Sequence, residues 1–219
     1  MNAGALPEGA NGLLHDVGRF AGRYYLRPAF RIRVHGRDRV PADGPLLVIA
    51  NHSSNVDPQL VIGMLPRRSA FLAKAELFKG IGGWFLRGIG QIPVRRGEID
   101  RTPLTTAVGV LKAGGAVGVF PEGTRGEGDV GAAERGAAWL VRASGATVLP
   151  IAIRGTRKPA DGKRRWRPRV DLLYGEPFAL KVGPGRKGLD QGTEELRRQL
   201  AALVQSLDDW RGEHGFAAS

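Results

Sequence analysis

The chain alternates short apolar runs with amphipathic stretches, and that alternation predicts its elements. Leu13, Val17, Phe20 and Tyr24 recur at three- to four-residue spacing, with Leu14, Ala21 and Tyr25 beside them, which is the pattern of an amphipathic helix. Arg19, Arg23, Arg27 and Arg31 recur every four residues through the same stretch, and Pro28 ends or kinks it. After the turn Pro41-Ala42-Asp43-Gly44-Pro45 comes the uninterrupted apolar run 46–50, which fits a strand buried on both faces. Further strands are expected over 31–34, 70–73, 91–94, 116–120, 147–154 and 169–174. Helical patterns fall between them. Thr102 as N-cap with Pro103 behind it opens one, and Gly114 closes it. Another covers 132–144 and stops at Gly145. The last covers 193–210, with Leu196, Leu200, Leu203, Leu207 and Trp210 on one face and Glu194 and Glu195 in its first turn. Strands alternating with helices predict an α/β fold: a single central mixed sheet flanked by helices, with an N-terminal amphipathic helical appendage. Residues 1–40 are expected to form the helical segment and residues 41–219 the α/β domain.

Composition narrows the chemistry. A chain of 219 residues, 42% of them hydrophobic, is long enough to bury a substantial core and is not disordered throughout. It has no cysteine, which removes disulfides, iron–sulfur clusters, Cys-ligated zinc and any thiol nucleophile. His15, His35, His52 and His214 are too far apart in sequence to suggest a metal motif, so no metal site is expected. No apolar run approaches the roughly 20 residues that span a bilayer. The N-terminal sequence lacks the basic start and apolar core of a signal peptide, which favours the cytoplasm. The net charge is +12, and 26 of the 33 basic residues are arginine, whose planar guanidinium forks onto phosphate oxygens. The charge therefore calls for an anionic partner: nucleic acid, a lipid headgroup surface, a phosphorylated small molecule or an acidic protein.

The run 46–50 leads directly into Asn51-His52-Ser53-Ser54-Asn55-Val56-Asp57-Pro58. Loops at the carboxyl ends of strands collect chemistry in α/β sheets. Histidine is suited to proton transfer near neutral pH, and a carboxylate on its far nitrogen fixes the tautomer. A turn rich in Ser and Asn can fold Asp57 back onto His52. Asp57 before Pro58 also reads as a helix N-cap, and the two roles are compatible because a carboxylate has several lone pairs.

This segment resembles the His-x4-Asp motif of the glycerolipid acyltransferases of the 1-acyl-glycerol-3-phosphate (lysophosphatidic acid) acyltransferase type. The later blocks of that family follow in order. Ala73-Lys74-Ala75-Glu76-Leu77 resembles its Ala-Lys-x-Glu-Leu segment. Gly90-Gln91-Ile92-Pro93-Val94-Arg95-Arg96 resembles its Gly-x-Ile-Pro-Val-x-Arg block and places Arg96 on the family's arginine. Phe120-Pro121-Glu122-Gly123-Thr124-Arg125 matches the Phe-Pro-Glu-Gly-Thr-Arg block in full, and Val148-Leu149-Pro150-Ile151-Ala152-Ile153 resembles the last, apolar block.

The resemblance implies His52 as general base oriented by Asp57. It implies Arg96, Arg125, Glu122, Gly123, Thr124 and Lys74 as the substrate phosphate site. The co-substrate is acyl-CoA or acyl carrier protein, the acceptor is a lysophospholipid, and neither cofactor nor covalent acyl-enzyme is implied. Read from residue type alone, Glu122 with Arg125 also suits an internal ion pair, Arg96 beside Arg95 a solvated pair, and Lys74 a surface position. A lipid acceptor requires membrane contact. Residues 1–40 and the apolar positions Leu77, Phe78, Ile81, Trp84, Phe85 and Ile89 are the candidates, and ordinary core packing is expected to claim about half of these side chains. The enzyme is then expected on the cytoplasmic face of a bacterial membrane as a peripheral or monotopic protein. Glycerol 3-phosphate, a lyso-ornithine lipid or a glycolipid are the alternative acceptors. Residues 154–169 hold eight basic residues around Trp166, a pattern that also suits a basic nucleic-acid or anionic-membrane binding module; no specific nucleic acid is expected, since no recognised motif accompanies it.

Overall fold

The computed structural model describes residues 5–95, 101–121, 135–157 and 166–216. Its described strands are β1 (Arg31–His35), β2 (Leu46–Ala50), β3 (Ser69–Lys74), β4 (Ile92–Val94), β5 (Ala116–Val119), β6 (Thr147–Arg154) and β7 (Arg169–Tyr174). They form one sheet in the order β1-β7-β6-β2-β5-β3-β4. The strands from β6 to β4 run parallel, and β7 with β1 runs against them, so the sheet is mixed as expected. The central position of β2, between β6 and β5, explains its unbroken apolar sequence: all five side chains are buried.

The described helices are α1 (Gly12–Tyr25), α2 (Asp57–Met64), α3 (Gly80–Gly88), α4 (Thr102–Lys112), α5 (Gly136–Ser144) and α6 (Gly185–Glu213). One sheet face packs Leu47, Ile49, Val117 and Val148 against α4, α5 and the leucine row of α6, including Leu196, Leu200 and Leu207. The other packs Val48, Leu149, Ile151 and Leu172 against Leu60, Val61 and Met64 of α2 and against Leu26 and Phe30, which follow α1.

Three boundaries differ from the sequence reading. Strand β1 lies within residues 1–40 yet pairs with β7, so the sheet begins at Arg31 and the N-terminal helical segment is shorter than 40 residues. Arg101, not Thr102, occupies the N-cap of α4, and no side chain caps it. Helix α6 starts at Gly185, eight residues before 193. Gly188 and Gly192 read as poor helix formers, but a Cβ on Gly188 would stand 2.1 Å from the Gly183 carbonyl oxygen and one on Gly192 3.0 Å from Val182. Close packing requires glycine there and outweighs its low propensity.

Helix α1 is turned the opposite way from an ordinary surface helix. Its inward face carries His15, Gly18, Arg19, Gly22 and Arg23, while Leu13, Val17, Phe20 and Tyr24 face outward. Glycines make this approach possible: a Cβ on Gly63 of α2 would stand 3.1 Å from the Arg23 backbone nitrogen. His15 fixes the helix to the core. Its Nδ1 lies 2.6 Å from the Ile89 carbonyl oxygen, and the Ser69 N–H points at its Nε2 from 3.4 Å. Nδ1 is therefore the protonated nitrogen, and burial lowers the imidazole pKa, partly opposed by the Ile89 hydrogen bond.

Candidate active site

The carboxyl ends of β2, β5 and β6 meet at one end of the sheet, and the His52 loop lies there. Asn51 governs how the chain leaves β2. Its side-chain amide donates to the Ile153 carbonyl at 3.0 Å and accepts from the Ile153 N–H at 2.8 Å. The side chain thus takes the place of a ladder rung and frees the backbone to turn.

The turn brings the two candidate catalytic residues together. His52 Nδ1 lies 3.1 Å from Asp57 Oδ2, with Asp57 fully buried and His52 slightly exposed. The same oxygen accepts from the Ser53 N–H at 2.8 Å and the Ser54 N–H at 2.7 Å. Asp57 opens α2, but its carboxylate points back into the loop, and no side chain makes a capping bond at that helix. Of the two readings of Asp57, the structure realises the histidine partner. Because an ionised carboxylate only accepts, Nδ1 carries the proton towards Asp57 and Nε2 is the nitrogen suited to exchange with a ligand.

Residues outside the motif hold the ring. Phe120, just past β5, packs on His52 with ring centroids 4.5 Å apart, and Phe71 backs Phe120 at 5.9 Å. Gly118 makes room for Phe71, since a Cβ there would stand 2.1 Å from that ring. Thr156 Oγ1 lies 3.2 Å from Ser53 Oγ and ties the loop to the end of β6. Its approach depends on Gly155, whose φ of +91° and whose missing Cβ, 2.0 Å from the Arg169 carbonyl oxygen, require glycine. Sequence reasoning did not identify Thr156: one threonine after a strand has no local signal, and only the pairing of β6 with β2 brings it to Ser53.

Lys74 ends β3 and is exposed at the same end of the sheet. Arg96, Glu122, Gly123, Thr124 and Arg125 lie outside the described residues. Among the described residues no cluster of His, Asp and Glu has the arrangement of a metal site.

The basic stretch 154–169 is partly neutralised internally. Arg154 makes a bidentate pair with Asp208 of α6, at 2.7 Å for both contacts. Arg169 pairs with the buried Asp171 at 3.0 Å. Residues 158–165 lie outside the described ones.

The protein also carries an exposed apolar surface. Leu13, Val17, Phe20, Tyr24 and Tyr25 on α1 are exposed, as are Ile81 and Trp84 on α3, at 87% and 67%. Leu13, Leu14, Val17 and Trp84 line one groove with Arg87 at its edge. Phe78 and Ile89 are buried instead, so the second apolar stretch divides between core and surface as expected. No helix among the described residues is long and apolar enough to cross a membrane.

A buried Asp–His pair at the carboxyl end of a mixed α/β sheet fits the acyl-transfer motif, and similarity to known proteins agrees. The sequence profile of the family Acyltransferase matches residues 31–154. The chain belongs to the acyltransferase family. It is 34% identical over 184 residues to the 1-acyl-sn-glycerol-3-phosphate acyltransferase of Bacillus subtilis, an alignment covering 81% of this chain and 90% of that protein. It is 29% identical over 151 residues to the chloroplastic 1-acyl-sn-glycerol-3-phosphate acyltransferase LPAT1 of Arabidopsis thaliana, covering 66% of this chain and 42% of that longer protein. The crystal structure of the 1-acyl-sn-glycerophosphate (LPA) acyltransferase PlsC from Thermotoga maritima superposes with a TM-score of 0.64 at 28% identity, covering 86% of this chain and 78% of that one.

Proposed function

We propose that the chain transfers a fatty acyl group from an acyl thioester, acyl-CoA or acyl carrier protein, to the free hydroxyl of lysophosphatidic acid, giving phosphatidic acid. The observation that carries this reading is the buried Asp57 carboxylate on Nδ1 of His52, in a chain belonging to the acyltransferase family.

In this reaction His52 Nε2 takes the hydroxyl proton as the oxygen attacks the thioester carbonyl. The new C–O bond forms, the C–S bond breaks, and the proton passes from Nε2 to the leaving thiolate. Asp57 holds the ring in one tautomer and stabilises the imidazolium that forms in between. Arg96 and Arg125, with Lys74, hold the acceptor phosphate, and Glu122, Gly123 and Thr124 belong to the same loop. Transfer is direct and uses neither cofactor nor metal. The absence of cysteine and of a Gly-x-Ser-x-Gly elbow supports a scheme without an acyl-enzyme.

The protein meets its lipid as a peripheral or monotopic enzyme at the cytoplasmic face of the membrane. The outward apolar face of α1, with Ile81 and Trp84 of α3, supports this, because such a patch beside arginines suits an interface with anionic headgroups.

Product analysis by mass spectrometry tests the reading. Lysophosphatidate, glycerol 3-phosphate, a lyso-ornithine lipid and a glycolipid are offered with each donor. Phosphatidic acid from lysophosphatidate, lost in His52→Ala, is the expected result. Preference for another acceptor would move the enzyme within the family, and no acyl transfer to any acceptor would overturn the proposal.

A further inference from the structure

The inward face of α1 carries charge where a helix facing a core ordinarily carries apolar side chains. Arg19 and Arg23, one turn apart, both lie on the inward, partly buried face of α1. Arg19 donates through Nη2 to the Leu65 carbonyl at 2.5 Å, beyond the end of α2, and its side chain is only 19% exposed. The Nε atoms of both Arg19 and Arg23 are buried without a hydrogen-bond partner. Arg37, in the turn that follows β1, adds a third guanidinium group, and its positive charge and that of Arg23 both lower the Arg19 pKa, after burial.

Tyr174 points into the same region from the end of β7. Its side chain is fully buried, and its hydroxyl has no hydrogen-bond partner. A buried phenol ordinarily finds one. Burial raises the Tyr174 pKa, while Arg37, Arg23 and Arg19, in that order, pull it back, so all three cations act on this one hydroxyl. No carboxylate perturbs it. Asp16, the acid that does reach Arg19, is engaged by Arg68 through two hydrogen bonds of 3.1 and 2.6 Å.

Three guanidinium groups, two buried unpartnered Nε donors and a buried unpartnered hydroxyl, with only the shared Asp16 carboxylate 3.5 Å from Arg19 Nη1 to offset their charge, make an incomplete set of contacts. A tetrahedral oxyanion completes it: its oxygens accept from the forked donors and from the phenol, and its charge offsets the mutual repulsion of the arginines. We infer that Arg19, Arg23, Arg37 and Tyr174 form a second phosphate-binding site, built from none of the residues of the His52 loop, for a phosphate ion or the phosphate of a lipid headgroup. Ligand approaches from the side of Arg37, which is exposed to solvent. The inference is independent of the proposed acyl transfer.

The test reads the arginine Nε–H resonances of the full chain labelled with nitrogen-15, alongside two variants. Arg37→Gln changes an exposed side chain. Tyr174→Phe removes a hydroxyl that has no partner, so it leaves the unliganded fold at least as stable as before. Inorganic phosphate is titrated at constant ionic strength against chloride. In a separate arm the ligand is a bicelle of phosphatidylcholine and phosphatidylglycerol. The Arg19 and Arg23 Nε–H signals are expected to shift in at least one arm, with binding about tenfold weaker in each variant. A shift with inorganic phosphate assigns a soluble phosphate; a shift with bicelles alone assigns a headgroup. No shift of these signals in either arm, equal shifts with chloride, or unchanged affinity in both variants would overturn the site.

Discussion

Nδ1 of His52 stands 3.1 Å from Oδ2 of Asp57, and that one oxygen also receives the N–H groups of Ser53 and Ser54. The carboxylate is therefore a fixed part of the turn that presents the imidazole. His52→Ala removes the base, and Asp57→Asn replaces a pure acceptor with an amide that no longer enforces the tautomer. Each variant is expected to lower kcat by about 10²–10⁴-fold while circular dichroism stays native. Turnover near the wild-type rate in a folded His52→Ala protein would remove the histidine from the reaction.

Gly155 is expected to be intolerant of any side chain. Its φ of +91° and the position of the Arg169 carbonyl both oppose a Cβ. Gly155→Ala should destabilise the protein by about 1–3 kcal/mol in urea denaturation and displace Thr156 from Ser53, lowering activity as well. A stable and fully active Gly155→Ala protein would show that the loop is held by other contacts.

His15 makes the seat of α1 sensitive to acid. Its folded-state pKa lies below the ordinary imidazole value of 6.5, chiefly through burial. The neutral form is favoured by folding, so its stabilising effect is complete above about pH 6.5 and is lost as pH falls through the lowered folded value. Arg19 and Arg68 add to the lowering and Asp16 opposes it; Asp16 has its own pKa lowered by Arg68 and loses its contribution only at more acidic pH, below 3.8. Urea midpoints measured at about pH 7.5 and about pH 5.5 should fall in the wild type and change less in His15→Leu. Equal pH dependence in the two proteins would count against this role.

The outward face of α1 predicts how the protein meets lipid. Deleting residues 1–40 is a poor test, because it removes β1 from the sheet. Leu13→Asp and Phe20→Asp are cleaner, since both side chains are exposed, at 75% and 64%. Each should weaken flotation with anionic vesicles about tenfold or more, the loss expected when one large apolar side chain no longer inserts, without lowering the melting temperature. Unchanged flotation in the double variant would place the membrane contact elsewhere.

Much of this was legible in the chain. The strands at 46–50, 147–154 and 169–174 appear where apolar runs and turn residues place them, because a central strand buried on both faces leaves a local signature. The pairing of His52 with Asp57 was legible for the same reason, as both lie within one turn. The sequence determined the α/β class, the order of motifs and the identity of the candidate acid–base pair. Tertiary structure alone decided that Asp57 serves the histidine instead of capping α2, that β1 joins the sheet, that Thr156 reaches Ser53, and that α6 extends through Gly188 and Gly192. It alone decided which way α1 faces. Periodicity shows which residues share a helix face, but not where that face points. That depends on the backbone approach at Gly63 and on the polar contacts of His15 and Arg19, made with residues dozens of positions away.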